Sequence, residues 1–149
     1  MMQQRHLVLA AAGGSLALLA GAFFFQWLGY APCQMCIWQR WPHAAAVVIG
    51  GFAVLLSGRF LPLLGALAAA TAGGLGFFHT GVERGWWQGP TTCSGGGNLL
   101  EGDIFSTEGP ALVLCDMVTW QFLGLSMASW NAIFSLGFVA IWLLAARRA

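Results

Sequence analysis

The stretch PCQMCIWQRWP, Pro32 to Pro42, sets Cys33 and Cys36 two residues apart and Arg40 four positions after the second cysteine. A disulfide closing so short a loop removes little chain entropy from the unfolded state, and cysteines in such motifs often have depressed pKa values. The pair therefore reads as redox-active rather than as a staple. Cys93 and Cys115 are the other two cysteines, and for them a stabilising disulfide and a second redox couple are equally compatible with the sequence. On a helix, Arg40 shares a face with Cys36. Its charge would favour the Cys36 thiolate or bind an electron-rich oxygen of a redox cofactor; its bland role is an anchor snorkelling to lipid headgroups. His79 is a candidate to donate a hydrogen bond or relay protons, and His43, just after Pro42, is a weaker one.

The elements that must hold these residues follow from composition. Of 149 residues 58% are hydrophobic and only 7% charged, with no lysine, against about 25% charged in an ordinary soluble domain. So few charges cannot skin a soluble globule of this size; the chain reads as an integral membrane protein. The net charge of +1 gives no sign of a nucleic-acid partner.

A membrane-crossing helix needs about 20 mostly apolar residues. The runs that qualify span about 7–28, 41–57, 60–81 and 123–146, the second starting as early as Ile37. The first resembles a signal peptide in having Arg5 before an apolar stretch, but it continues unbroken to Leu28, longer than an h-region of about 7–15 residues, and is read as a retained helix. Residues 57–60 are too short for anything but a tight turn between antiparallel helices. Small residues four apart, at Gly13, Ala17 and Gly21 and at Ala66, Ala70 and Gly74, have the spacing of close helix approach. The expected fold is an all-α, four-transmembrane-helix bundle forming a single membrane domain over 1–149.

Arginine bias orients it. Arg5, Arg59, Arg147 and Arg148 lie at the termini and the 57–60 turn, whereas the opposite loops hold Arg40 and Arg84. By the positive-inside rule both termini face the cytoplasm. Loops 29–40 and 82–122 then lie outside, in the periplasm if the host has two membranes. The second loop has a Gly-rich part, Ser94 to Asn98, expected to be mobile, and an apolar part, ALVLCDMVTWQFLG, expected as a short interfacial helix with Leu114, Met117 and Val118 on one face.

All four cysteines fall in these outer loops. Outside the cytosol thiols tend to be oxidised. The parsimonious pairing is Cys33 with Cys36 and Cys93 with Cys115, although four cysteines allow other connectivities. With His79 they match a zinc site in number, but Cys93 and Cys115 are not closely spaced and oxidation competes for the thiolates, so no metal is expected. No βαβ pattern surrounds the CxxC, which excludes a thioredoxin-like domain.

PCQMCIWQRWP, the segment CDMVTWQFLGLSMASWN from Cys115 to Asn131, the layout of spans and the order of the cysteine pairs together resemble the disulfide bond formation protein B family, the quinone-linked membrane oxidases of bacteria. The resemblance covers nearly the whole chain; Met35 stands where the family suggests leucine, and 82–110 matches nothing specific beyond Cys93. It implies a thiol:quinone oxidoreductase of the bacterial inner membrane. In that scheme the Cys93–Cys115 disulfide takes electrons from a periplasmic thioredoxin-like thiol oxidase through a mixed disulfide at Cys93. The resulting dithiol reduces Cys33–Cys36, and Cys36 passes charge to a membrane quinone, ubiquinone or menaquinone, held near Arg40, with His79 a further quinone-site candidate. Trp120 and Met117 are candidate covers for the quinone. Two alternatives remain: a vitamin K epoxide reductase-like enzyme, whose loop pair precedes its CxxC, and a non-enzymatic membrane scaffold with structural disulfides.

Overall fold

In the computed structural model, which describes residues 2–90, 93 and 113–149, the chain is mostly helical. The helices are α1 (Met2–Trp27), α2 (Gln34–Leu55), α3 (Phe60–Glu83) and α4 (Met127–Arg147), and a two-stranded antiparallel ribbon, β1 (Gln121–Phe122) and β2 (Leu125–Ser126), precedes the last. α1 packs on α2 and α4, α3 packs on the same two, and α1 barely touches α3. The helices thus stand at the corners of a square.

Helices α1, α3 and α4 are long and apolar enough to cross a membrane. Their apolar residues run all round, so many large side chains point outward: Leu9, Leu16, Phe24, Leu67, Phe77 and Leu136 are each more than half exposed, as expected where lipid rather than water is the surroundings. α2 has 22 residues, but Gln34, Gln39, Arg40 and His43 crowd its first turns. Those residues depress its hydropathy and place the chemistry at one end of the bundle.

Local sequence explains the boundaries. α2 starts at Gln34, well before residue 41, because Cys33 caps it: the Cys33 sulfur accepts the Cys36 N–H at 3.3 Å. Pro42 is tolerated inside this helix. α2 and α3 are joined across a turn containing Gly58 at φ +147°, and Gln4 Nε2 donates to the Gly58 carbonyl at 2.8 Å. The amino terminus and that turn therefore share one end of the bundle. α4 begins at Met127 rather than 123, capped by Ser126, whose Oγ accepts the Ser129 N–H at 3.2 Å.

The expected interfacial helix is not formed: residues 113–126 make turns and then the β1–β2 ribbon. Leu114, Met117 and Val118 therefore lie in extended or turn conformation, and only Ala111 and Leu112 of the expected segment fall outside the described residues. Two constraints oppose a helix there. Cys115 is tied to Cys93 by a disulfide, and the two-residue loop Leu123–Gly124 has φ of +52° and +75°, the paired left-handed geometry that suits a tight hairpin. The Gly-rich Ser94–Asn98 expectation lies outside the described residues.

Close helix approach is real, but in a different register from the one expected. Gly13, Gly21 and Gly74 have open space where a Cβ would stand, whereas a Cβ at Gly50 would meet the Ala12 Cβ at 2.4 Å and one at Gly65 the Trp142 indole at 2.6 Å. Spacing alone cannot choose between adjacent stripes on a helix that is apolar on every side. Around Trp142 a first buried cluster joins Val8, Ala11, Ala53, Ala66, Ala69 and Ala145. A second, containing the cysteines, closes the other end.

Candidate redox site

At the amino terminus of α2 the Cys33 sulfur has three polar neighbours. The Cys36 thiol faces it at 2.9 Å, the Cys36 N–H at 3.3 Å and His79 Nε2 at 3.6 Å. The Cys36 thiol is the strongest influence, burial opposes it and His79 assists it; together they lower Cys33 from its ordinary 9.0 to about 4. A helix amino terminus carries partial positive charge, which favours a thiolate there. Cys33 and Cys36 are free thiols, while Cys93 and Cys115 are joined as a disulfide.

The two pairs abut. Cys33, Met35, Val82, Cys93 and Cys115 form one buried cluster with Cys36 and Val113 packed against it. The Cys33 sulfur, the Cys115 sulfur and a ring nitrogen of His79 all lie within 4.8 Å of one another. Such a trio resembles a metal-ligand set, but the Cys115 sulfur is already committed to Cys93, leaving too few donors for a closed structural site. What the trio can do is exchange: a thiolate at Cys33 faces a disulfide sulfur with a hydrogen-bond donor beside it.

His79 sits at the centre of a buried polar chain. Its Nδ1 meets Gln39 Nε2 at 2.9 Å and its Nε2 lies 3.2 Å from the Cys115 carbonyl. Asn131 Nδ2 donates to Gln39 Oε1 at 2.7 Å, and His43 Nε2 meets Asn131 Oδ1 at 2.7 Å. Glu83, one turn after His79, has a carboxylate oxygen 3.9 Å from His79 Nε2 and accepts a hydrogen bond from Ser126. The β1–β2 ribbon is what delivers Ser126 to this point.

Beside the cysteines opens a cavity of about 440 Å³, bounded mainly by α1, α2, α4 and the segment leading into the ribbon, with His79 reaching it from α3. Phe25, Trp120, Phe122 and Phe134 give it aromatic walls, and Cys36, Arg40, His43 and His79 give it polar ones. Its size falls within the range of small-molecule sites, about 300–1,000 Å³. Cys33 does not line it; Cys36 does. One cysteine of the CxxC thus faces the other disulfide and its neighbour faces the cavity.

Arg40 borders the cavity, but its guanidinium reaches α1: Nη1 donates to Gln26 Oε1 at 2.7 Å and the group lies 4.7 Å over the Phe23 ring. Its charge, expected to favour a thiolate at Cys36, is directed to α1, and it is Cys33 that is favoured as a thiolate, by Cys36 and His79. Cys93, expected to meet a partner first, is buried, only 2% exposed. Trp120 packs on Phe25 with ring centroids 5.1 Å apart and lines the cavity, whereas Met117 is exposed and does not line it. Gln39, Asn131 and Glu83 were not singled out from sequence. Their signal was there, since polar residues inside apolar runs are costly and generally have partners.

The family model for disulfide bond formation protein DsbB matches residues 4–145. Proteins named disulfide bond formation protein B from Azoarcus sp. (strain BH72) and from Dechloromonas aromatica (strain RCB) are 31% and 35% identical to the chain; the alignments cover 97% of this chain and 95% of the relative in the first case, and 85% and 82% in the second. The protein of the same name from Polaromonas sp. (strain JS666 / ATCC BAA-500) is 28% identical, over 99% of this chain and 95% of its own. No solved structure matches significantly.

Proposed function

We propose that this chain, which belongs to the disulfide bond formation protein DsbB family, is a thiol:quinone oxidoreductase that reoxidises a thioredoxin-like thiol oxidase on the outer face of the bacterial inner membrane. In this reading α2 crosses the bilayer with the other three helices, both termini are cytoplasmic, and the cysteine end is periplasmic. The arginine distribution supports that orientation. The observation that carries the reading is the division of labour within the CxxC: the Cys33 sulfur is within 4.8 Å of the Cys115 sulfur, and Cys36 lines the aromatic cavity.

A thiolate of the reduced partner attacks Cys93, breaking Cys93–Cys115 and releasing the Cys115 thiolate; the partner's second thiol resolves the mixed disulfide and leaves oxidised. Cys115 then attacks Cys33 of the oxidised CxxC, forming Cys33–Cys115 and releasing Cys36. Cys93 attacks Cys115, restoring Cys93–Cys115 and releasing the Cys33 thiolate, which the helix amino terminus and His79 receive. Two electrons now reside on Cys33 and Cys36 beside an intact Cys93–Cys115 bond, the same pattern of bonds seen in the structure.

The aromatic walls and polar rim of the cavity suit a flat quinoid ring with carbonyl oxygens. Arg40 keeps a buried Nε–H without a partner among the described residues. A quinone bound there would accept two electrons and two protons and depart as quinol. Arg40 would hold it, Cys36 would present the reducing sulfur, and Trp120 would exclude water.

The test is turnover of a ubiquinone analogue by purified protein supplied with a reduced thioredoxin-like oxidase, followed by quinone absorbance. Activity should vanish in Cys36→Ser while the bundle stays folded. Quinone-independent oxidation of the partner, or full turnover by Cys36→Ser, defeats the proposal. A scaffold with structural disulfides predicts a loss of stability in that variant instead.

A further inference from the structure

The hydrogen bonds around His79 have a direction that can be worked out bond by bond. Asn131 Nδ2 lies 3.3 Å from the Ala72 carbonyl. A carbonyl only accepts, so this atom is the amide nitrogen and the 2.7 Å contact to Gln39 Oε1 is a donation. Gln39 is then oriented too, a result supported separately by Nε2 donating to the Met35 carbonyl at 3.2 Å. Its second N–H points at His79 Nδ1, 2.9 Å away. Nδ1 must accept, so the neutral ring carries its proton on Nε2. That nitrogen faces the Cys33 sulfur at 3.6 Å and the Cys115 carbonyl at 3.2 Å.

We propose that Asn131 on α4 is a positioning residue that, through Gln39 on α2, locks His79 on α3 with its proton on Nε2, facing the sulfur that exchanges with Cys115. Three helices are thereby keyed to one another by a single chain of amides. With the proton on Nδ1 instead, two donors would collide at 2.9 Å, and Gln39 could turn its oxygen inward only by leaving both Met35 and Asn131. On the other side of Asn131, Oδ1 takes donors from His43 Nε2 at 2.7 Å and Ser135 Oγ at 3.3 Å, which fixes the amide from below. The charged and titratable groups acting on the ring are Cys33, at the start of α2, and Glu83 from its own helix.

A locked Nε2–H supplies one fixed donor to Cys33 whenever that sulfur is expelled as a thiolate. The benefit to exchange rests on the function proposed above; the tautomer does not. Two-bond ¹H–¹⁵N correlation spectra of ¹⁵N-histidine-labelled full-length protein in detergent, at pH 7 to 8, read the tautomer directly, with His79→Gln identifying the signal. The wild type should show a single Nε2–H form. Asn131→Leu should give mixed tautomers, and exchange between the cysteine pairs should slow about tenfold, the loss of one hydrogen bond to a charged group. Gln39→Glu keeps the acceptor for Asn131 but turns an oxygen toward Nδ1, and should move the proton there. Ser135→Ala should leave the Nε2–H form intact.

If Asn131→Leu does not fold, Gln39→Glu decides alone. A wild-type ring protonated on Nδ1, or an Nε2–H form unchanged in Gln39→Glu, overturns the proposal. A locked ring in a protein that fails to use quinone would instead overturn the function and leave the lock standing.

Discussion

The sulfurs of Cys33 and Cys115, carried by different parts of the chain and 82 positions apart by their numbers, lie within 4.8 Å of each other at the end of the helical bundle. Neither is bonded to the other. Cys33 is a free thiol and Cys115 is joined to Cys93, so the contact is that of a nucleophile with a disulfide it can exchange with.

That proximity predicts a cross-pair bond. In a protein carrying Cys36→Ser and Cys93→Ser together, each partner sulfur of the native pairs is gone and Cys33 and Cys115 remain. Mild oxidation should then close a Cys33–Cys115 disulfide, read as protection of both thiols from alkylation in an intact-mass measurement. Two alkylated cysteines after oxidation would show that the pairs do not meet.

Acidity at Cys33 should set how the CxxC potential varies with pH. Its pKa falls from 9.0 to about 4, so between about pH 5 and pH 8 reduction of the pair takes up one proton rather than two. For a two-electron couple each proton contributes about 30 mV per pH unit. The midpoint potential, measured against glutathione with Cys93 and Cys115 both replaced by Ala, should change by about 30 mV per pH unit over that window and not about 60 mV.

The same shift predicts a pH dependence of stability in the reduced protein. A thiol whose folded pKa is depressed stabilises the fold fully above its unfolded value and loses that contribution as pH falls toward the folded one. Between pH 9 and about 4, the thermal midpoint of the reduced form should therefore fall relative to the oxidised form. Parallel profiles for the two forms would refute a Cys33 thiolate.

Replacing Arg40 by Met removes its bonds to Gln26 and the Phe23 face together with the cavity's cation. The apparent KM for a quinone analogue should rise about tenfold, the cost of a lost charge-assisted contact, with helicity by circular dichroism unchanged. An unaltered KM would remove Arg40 from the acceptor site.

Packing gives a contrasting pair. Gly65→Ala drives a methyl into the Trp142 indole at 2.6 Å and should cost about 1–3 kcal/mol, visible as a lower unfolding midpoint in detergent. Gly74→Ala meets nothing and should be neutral or stabilising by about 0.5–1 kcal/mol. Equal midpoints would mean that α3 does not present Gly65 to α4.

Much of the molecule was legible from one dimension. Long apolar runs with few charges require helices, because backbone groups in lipid must pair within their own segment, and the spacing of the CxxC pointed to a redox pair. Over residues 113–124 the apolar pattern suggests a helix, but a positive φ at Leu123 and the disulfide to Cys93 override it, and neither is visible in periodicity. Of the small-residue stripes only Ala66 reaches the buried core while Gly13, Gly21 and Gly74 face open space, for a related reason: a helix apolar on every face carries no mark of which face meets protein. Tertiary structure alone decided that Cys33, not Cys36, collects the thiolate-favouring donors, and that Gln39, His79 and Asn131 from three helices form one directed chain. Such contacts depend on how helices are rotated about their own axes, and that rotation is set by packing at positions such as Gly50 and Gly65, far along the chain from the chemistry they align.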